Sequence, residues 1–190
     1  MSTRSVIARP AETGYTGIYV HHDGYPSGHL PLLLAAYQHR FARNVEAMSV
    51  HLIDEVTIAW DELGTDLLDG APTSLLKQLT GGERWPSREM NDVITSDGSP
   101  PEREVITEAN SGYLSWGYVL HTAGIEVISL SADDRGPIVD WDTDPRTRFS
   151  DHPDLWLPGQ PVPATRPPRT TPAPAAPAPT SSAARPAAHR

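Results

Sequence analysis

The composition of the chain breaks at Pro158, and that break limits how much of it can build a core. Residues 158–190 hold ten of the twenty prolines and nine alanines, with no acid, no aromatic and no aliphatic side chain larger than Val162. Such a stretch cannot bury enough apolar surface to offset the entropy of ordering it. It reads as a disordered, locally extended Pro/Ala-rich tail. The expectation is one domain over 1–157, an ordinary size for a single core. Charge divides at the same place. The tail carries four of the 15 basic residues (Arg166, Arg169, Arg185, Arg190), leaving eleven against 24 acids over 1–157, a formal charge of -13.

What the chain lacks excludes several chemistries. It has no cysteine, hence no disulfide framework, thiolate nucleophile or thiolate metal ligand. Its single lysine, Lys77, lies in Leu-Leu-Lys-Gln-Leu, so there is no phosphate-binding loop of the G-x-x-x-x-G-K type. No G-x-G-x-x-G occurs, and in Gly24-Tyr-Pro-Ser-Gly28 the serine is one place off G-x-S-x-G. An acidic domain is a poor tracker of phosphates, so nucleic acid is not an expected partner. The opening Met1-Ser-Thr-Arg-Ser has no apolar run of the secretory kind, and no stretch approaches the ~20 apolar residues needed to span a bilayer. A soluble, cytoplasmic protein is the expectation.

Within 1–157 the patterns are short. Thr3 to Arg9 and Thr16 to His22 alternate as strands, with Ile18 and Val20 on one face and Tyr19, His21 and Asp23 on the other. Ser27 is placed to cap a helix whose first turn tolerates Pro31, and Leu30, Leu33, Leu34, Tyr37 and Phe41 follow at helical spacing. Asn44 is placed to cap a second helix, unless the two are one helix bent near Arg43. Thr73 opens a short helix stopped by Gly81-Gly82. Tyr113 to His121 and Ile125 to Ser131 read as a strand pair joined at Thr122-Ala-Gly124, where glycine supplies a positive φ, and Pro137 to Trp141 as a short further strand. The order predicts an α+β domain: a small antiparallel sheet with helices packed on one face, function being sought on the other.

The densest polar cluster is His21-His-Asp-Gly-Tyr-Pro-Ser-Gly-His29, at a strand-to-helix corner. His21, Asp23 and His29 have the ligand types for a divalent transition metal. Alternatively His21 is a general base oriented by Asp23, with Tyr25 or Tyr19 positioning a substrate and Asp140 or Asp142 completing the site. Against both stands a structural reading: Asp23 caps the turn, His22 packs at the strand end, and His29 is solvated at a helix start.

Other features are weaker. Asp140-Trp-Asp-Thr-Asp144 spaces carboxylates as a calcium loop does, but Pro145 stands where glycine is required, and Arg146 and Arg148 would neutralise the acids. Ser2 would be an N-terminal nucleophile were Met1 removed. His51, one turn from Asp54 and Glu55, reads as a surface ion pair. Trp60, Trp85, Trp141 and Trp156 fall in loops or at element ends, where they would either form a partner-binding face or plug clusters beneath loops.

Met1-Ser-Thr-Arg-Ser-Val-Ile-Ala and Gly17-Ile-Tyr-Val-His-His-Asp-Gly-Tyr-Pro26 together resemble a group of small uncharacterised proteins from actinobacteria and their phages. Those carry a Tyr-Cys-His-Trp-Asp-Gly-Tyr-Pro-like segment followed by a helix. His21, Asp23, Gly24, Tyr25 and Pro26 match; Val20 and His22 replace the usual cysteine and tryptophan. The Trp116-Gly-Tyr-Val and Ile125-Glu-Val segments are similar too. The resemblance implies a common small fold and brings no activity with it.

Two functions follow as expectations. One is a non-enzymatic binding or accessory protein whose acidic domain engages a protein partner, its Arg-Pro-Pro-Arg169 segment suited to an aromatic groove. The other is a metal-assisted or acid–base hydrolase centred on His21, Asp23 and His29. Convergence of those side chains in one concavity separates them.

Overall fold

The computed structural model describes residues 3–90, 97–99, 102–131 and 135–165. Ser2 and the Arg-Pro-Pro-Arg169 segment lie outside them, as does the rest of the tail beyond Thr165. The fold is α+β, as the element order predicts. Strands β1 (Ser5–Pro10), β2 (Tyr15–Val20), β3 (Trp60–Glu62), β4 (Arg88–Glu89), β5 (Val105–Thr107), β6 (Trp116–His121), β7 (Gly124–Ser129) and β8 (Ile138–Asp140) join one sheet among the described residues. Its order is β4-β3-β2-β1-β6-β7-β8, with β5 on the β2 edge.

The sheet is mostly antiparallel, as expected, but mixed rather than wholly so. The β1–β2, β6–β7, β7–β8, β2–β5 and β3–β4 pairs are antiparallel, but β1 runs parallel to β6, and β2 parallel to β3. The burial of β1 fits its central place. Val6, Ile7 and Ala8 are all fully buried, a continuous apolar run of the kind found in central strands covered on both faces. Ile7 joins a large cluster with Ile18, Val20, Tyr118, Val127, Leu30, Leu33, Leu34, Met48 and Leu52. Val6 and Ala8 join a second with Tyr15, Ile106, Leu114, Val119 and Ile128. Both faces of the central strands are therefore occupied.

Helix α1 (Pro26–Ala35) begins two residues earlier than a cap at Ser27 would place it. Tyr25 holds the N-cap position in an extended conformation, Pro26 supplies the preset φ of a first helical residue, and Pro31 falls inside the helix. Ser27 is not the cap. Its N–H and hydroxyl both donate to the Asp151 carboxylate, at 2.8 and 2.7 Å, so a residue distant in sequence satisfies the free end of the helix. A π-helical turn (Ala36–Arg40) continues α1, and Ala42 and Arg43, both at positive φ, end it. The two helices are thus separate. Asn44 caps α2 (Val45–Ser49) by accepting from the Ala47 N–H at 3.0 Å, as its sequence position predicts. Helix α3 (Thr73–Thr80) stops at Gly81 in the left-handed conformation.

Gly124 has the positive φ expected of it (158) and is needed for a second reason as well. A Cβ there would stand 2.2 Å from the Val139 carbonyl oxygen, so glycine admits the close approach of β8. Residues 158–165, read from composition as tail, return to the domain. Val162 packs on the main cluster, and β10 (Ala164–Thr165) pairs antiparallel with β9 (Arg148–Phe149).

Candidate binding cleft

The turn between β2 and α1 is fixed by its backbone. The Asp23 carbonyl accepts from the Tyr25 N–H at 2.8 Å and from His29 Nδ1 at 2.8 Å. The Gly24 N–H donates to the Thr3 carbonyl, and the Tyr118 hydroxyl donates to the Gly24 carbonyl at 2.8 Å. A Cβ on Gly24 would lie 2.6 Å from Ser5 Oγ, which explains the glycine. Asp23 itself adopts φ 54, a conformation that aspartate tolerates better than most residues.

This turn forms one side of a cleft of about 1010 Å³, at the upper end of the roughly 300–1,000 Å³ typical of ligand pockets. Pro31, Leu32, Leu63, Leu79, Trp85 and Phe149 supply its apolar lining, and Asp23, Glu62, Arg146 and Arg148 its charges. Trp85 is anchored through reciprocal bonds to Thr65: the Thr65 N–H donates to the Trp85 carbonyl at 2.8 Å, and the Trp85 N–H donates to Thr65 Oγ1 at 3.0 Å. Gly64 lets this segment lie close, because a Cβ would meet the Ser87 nitrogen at 2.1 Å. Ser87 in turn donates twice to Asp66, which also pairs with Arg40 at 2.8 Å. Burial pushes the Asp66 carboxyl up, but the Ser87 hydrogen bonds and the Arg40 charge outweigh it and hold it below the usual carboxylate value. On the opposite wall Arg146 is held by Asp144.

The residues singled out from sequence divide between two places. Asp23, Tyr25 and His29 line the cleft; His21 does not. His21 Nδ1 is hydrogen-bonded to the Tyr19 hydroxyl at 2.7 Å, and desolvation, with the nearby His22 and Arg4 charges, lowers its basicity. His29, which the structural reading of this corner would leave solvated, is buried at 2 % exposure, and its ring stacks on Tyr118 with centroids 5.2 Å apart. Burial pushes it down to about 4 against a smaller opposing pull from the Asp23 carbonyl and carboxylate. Its Nδ1–H serves the Asp23 carbonyl, and its Nε2 is buried with no partner. Among the described residues no three His, Asp or Glu side chains are grouped to hold a metal ion. The set His21, Asp23 and His29 is therefore not assembled.

Asp140 and Asp142 lie outside the cleft lining. Asp140 accepts from the Asp142 N–H at 2.7 Å, and Asp142 pairs with Arg43 at 2.6 Å, so the expected neutralisation comes from Arg43 and Arg146 rather than Arg148. His51 pairs with Glu55 at 3.0 Å, as read, while Asp54 pairs with Arg9. Of the four tryptophans in question, Trp60, Trp141 and Trp156 are buried in the main cluster, and Trp85 alone of them lines the cleft. The cleft does not lie on the sheet face where function was sought: none of its lining residues belongs to the second cluster.

Sequence reasoning missed Glu62, Phe149 and Arg148 as lining residues. Their elements are two or three residues long, too short for periodicity to register. Among the described residues no helix is long and apolar enough to cross a membrane. No family model, curated protein or solved structure matches the chain.

Proposed function

We propose that the protein is a non-enzymatic binding protein that takes an extended segment of a protein partner in this cleft, with its helices gathered on the Ile7 and Ile18 face of the sheet. The observation that carries the reading is the make-up of the lining: apolar Leu32, Leu63, Leu79, Trp85 and Phe149 together with charges of both signs, Asp23 and Glu62 against Arg146 and Arg148. Such a mix suits a peptide, whose apolar side chains meet the apolar lining while the charges fix its register. Acid–base chemistry has less support. His21 is outside the cleft, and the buried Nε2 of His29 has no titratable partner.

The test is panning of a display library of short random peptides against the full chain. Enriched peptides are expected to shift the Trp85 indole and the Leu63 and Leu79 methyl signals in NMR spectra, and to lose binding to Trp85→Ala. Lack of enrichment, or binders that shift only residues away from the cleft, would overturn the reading.

A further inference from the structure

We propose that the partner segment is dipolar: it brings a lysine or arginine side chain to Asp23 and an aspartate or glutamate side chain to Arg148, an inference that rests on reading the cleft as a groove for extended segments. Two of the four charges on the lining already have partners. Glu62 pairs with Arg88 at 3.0 Å, and Arg146 pairs with Asp144. Asp23 and Arg148 differ. Both are exposed, and among the described residues neither charged group has a hydrogen bond or an ion pair, with each other or with any other group. The cleft thus has a free carboxylate in the β2–α1 turn and a free guanidinium on β9.

Free charges of opposite sign on one lining favour a partner that carries both signs. They also set the direction in which it lies, because the reversed segment would place like charges together. Tyr25 lines the cleft close to Asp23, its N–H bonded to the Asp23 carbonyl, and is 41 % exposed, so an aromatic ring stands near the same cation. The planar fork of Arg148 matches a carboxylate, which it can hold through two N–H groups. Two other carriers of these charges fit less well. A free amino acid would leave most of a cleft of about 1010 Å³ unfilled, its apolar lining included. A free carboxyl terminus is held by unused backbone N–H groups, and those at the start of α1 are taken: Ser27 donates to Asp151, and Gly28 and His29 donate to the Tyr25 carbonyl. Side chains of an internal segment remain.

Panning short random displayed peptides separately against the wild type, Asp23→Asn and Arg148→Glu tests this. Both replaced side chains are exposed, and asparagine tolerates the positive φ of residue 23. Peptides enriched on the wild type are expected to combine a Lys or Arg with an Asp or Glu at a constant spacing. Replacing the peptide's basic residue by alanine is expected to weaken binding to the wild type roughly tenfold, and binding to Asp23→Asn hardly at all. Arg148→Glu is expected to lose the parent peptides and to select peptides with a basic residue in place of the acidic one. Enriched peptides that shift the Trp85 indole signal yet bind as well without their charges, or an unchanged selection on Arg148→Glu, would overturn the dipolar match and leave the groove reading standing. If no peptide is enriched on the wild type, both fall.

Discussion

His29 and Tyr118 stack with their rings 14° from parallel and divide one turn between them, His29 Nδ1 holding the Asp23 carbonyl and the Tyr118 hydroxyl the Gly24 carbonyl. Tyr118 lies on β6 in the main cluster, so the stack ties the β2–α1 turn to the centre of the sheet. Both rings pay for burial in the same sense, the neutral form being favoured: burial raises the Tyr118 phenol well above its ordinary value and lowers His29 to about 4.

The pH dependence of stability follows from His29. Its folded value of about 4 lies below the unfolded 6.5, so the unfolded chain binds the extra proton between them. The stability of the neutral buried ring is fully present above pH 6.5 and is lost as the pH falls through about 4. The loss is roughly 3 kcal/mol across that window. Urea unfolding of the wild type and His29→Phe at a series of pH values checks it. Phenylalanine keeps the stack, and the Asp23 carbonyl keeps its Tyr25 N–H bond, so the variant is expected to lose the slope that is specific to His29. Parallel curves for the two proteins would refute the assignment.

Asp151 and Ser27 form a second clamp on the same turn. Removing the carboxylate frees the N-terminal Ser27 N–H as well as its hydroxyl, so Asp151→Ala is expected to cost about 1–2 kcal/mol. Ser27→Ala removes only the hydroxyl bond and is expected to cost less. Because both act through one carboxylate, the double variant should be little less stable than Asp151→Ala alone. Thermal unfolding of the three proteins reads this directly, and simple additivity would show that the clamp does not act as a unit.

The sequence made elements legible where a local rule governs them, and failed where partners are distant. Asn44 and Gly81 act on their own helix ends, so position alone identified them. Ser27 looks like the same kind of cap, but its partner is 124 residues away, and no local pattern encodes that. A place at a helix start suggests solvent around His29; Tyr118, which buries it, arrives from β6. The parallel β1–β6 pair is another non-local outcome, hinted at only by the unbroken apolar run of Val6 to Ala8. At the cleft, Asp23, Tyr25 and His29 were legible as a cluster, whereas Trp85 and Phe149 are brought there by irregular segments.

Two glycines separate steric need from mere occurrence. Gly17 of β2 faces Ala8 across the β1–β2 pair, and a Cβ there would stand 2.1 Å from the Ile7 carbonyl oxygen and 2.6 Å from the Ala8 Cα. Backbone on both counts cannot swing aside, so Gly17→Ala is expected to destabilise by about 3 kcal/mol or more. Gly112 has nothing within 4 Å of such a Cβ, and Gly112→Ala is expected to lie within about 0.5 kcal/mol of wild type. Denaturant midpoints of the pair decide it; equal midpoints would mean that the strands separate freely at Gly17.

Arg103 finishes the second helical segment from outside. The π-helical turn (Val50–Asp54) that extends α2 leaves its last carbonyls without helical partners, and Arg103 donates to three of the carbonyls there: Ile53 at 2.6 Å, and Asp54 and Val56 at 3.1 Å each. A cation at this end also meets the negative pole of the helix. Two residues later β5 begins, pairing with β2 at Thr16 to Ile18, so the same side chain connects the helical layer to the sheet edge. Lysine would keep the charge but not the planar fork that reaches several oxygens at once. Arg103→Ala is therefore expected to cost about 1–2 kcal/mol and Arg103→Lys roughly half of that. Amide hydrogen exchange should quicken at Ile106 and Thr107 in both variants before it does in β6 or β7. Unchanged exchange in β5 would show that its pairing with β2 stands without the arginine.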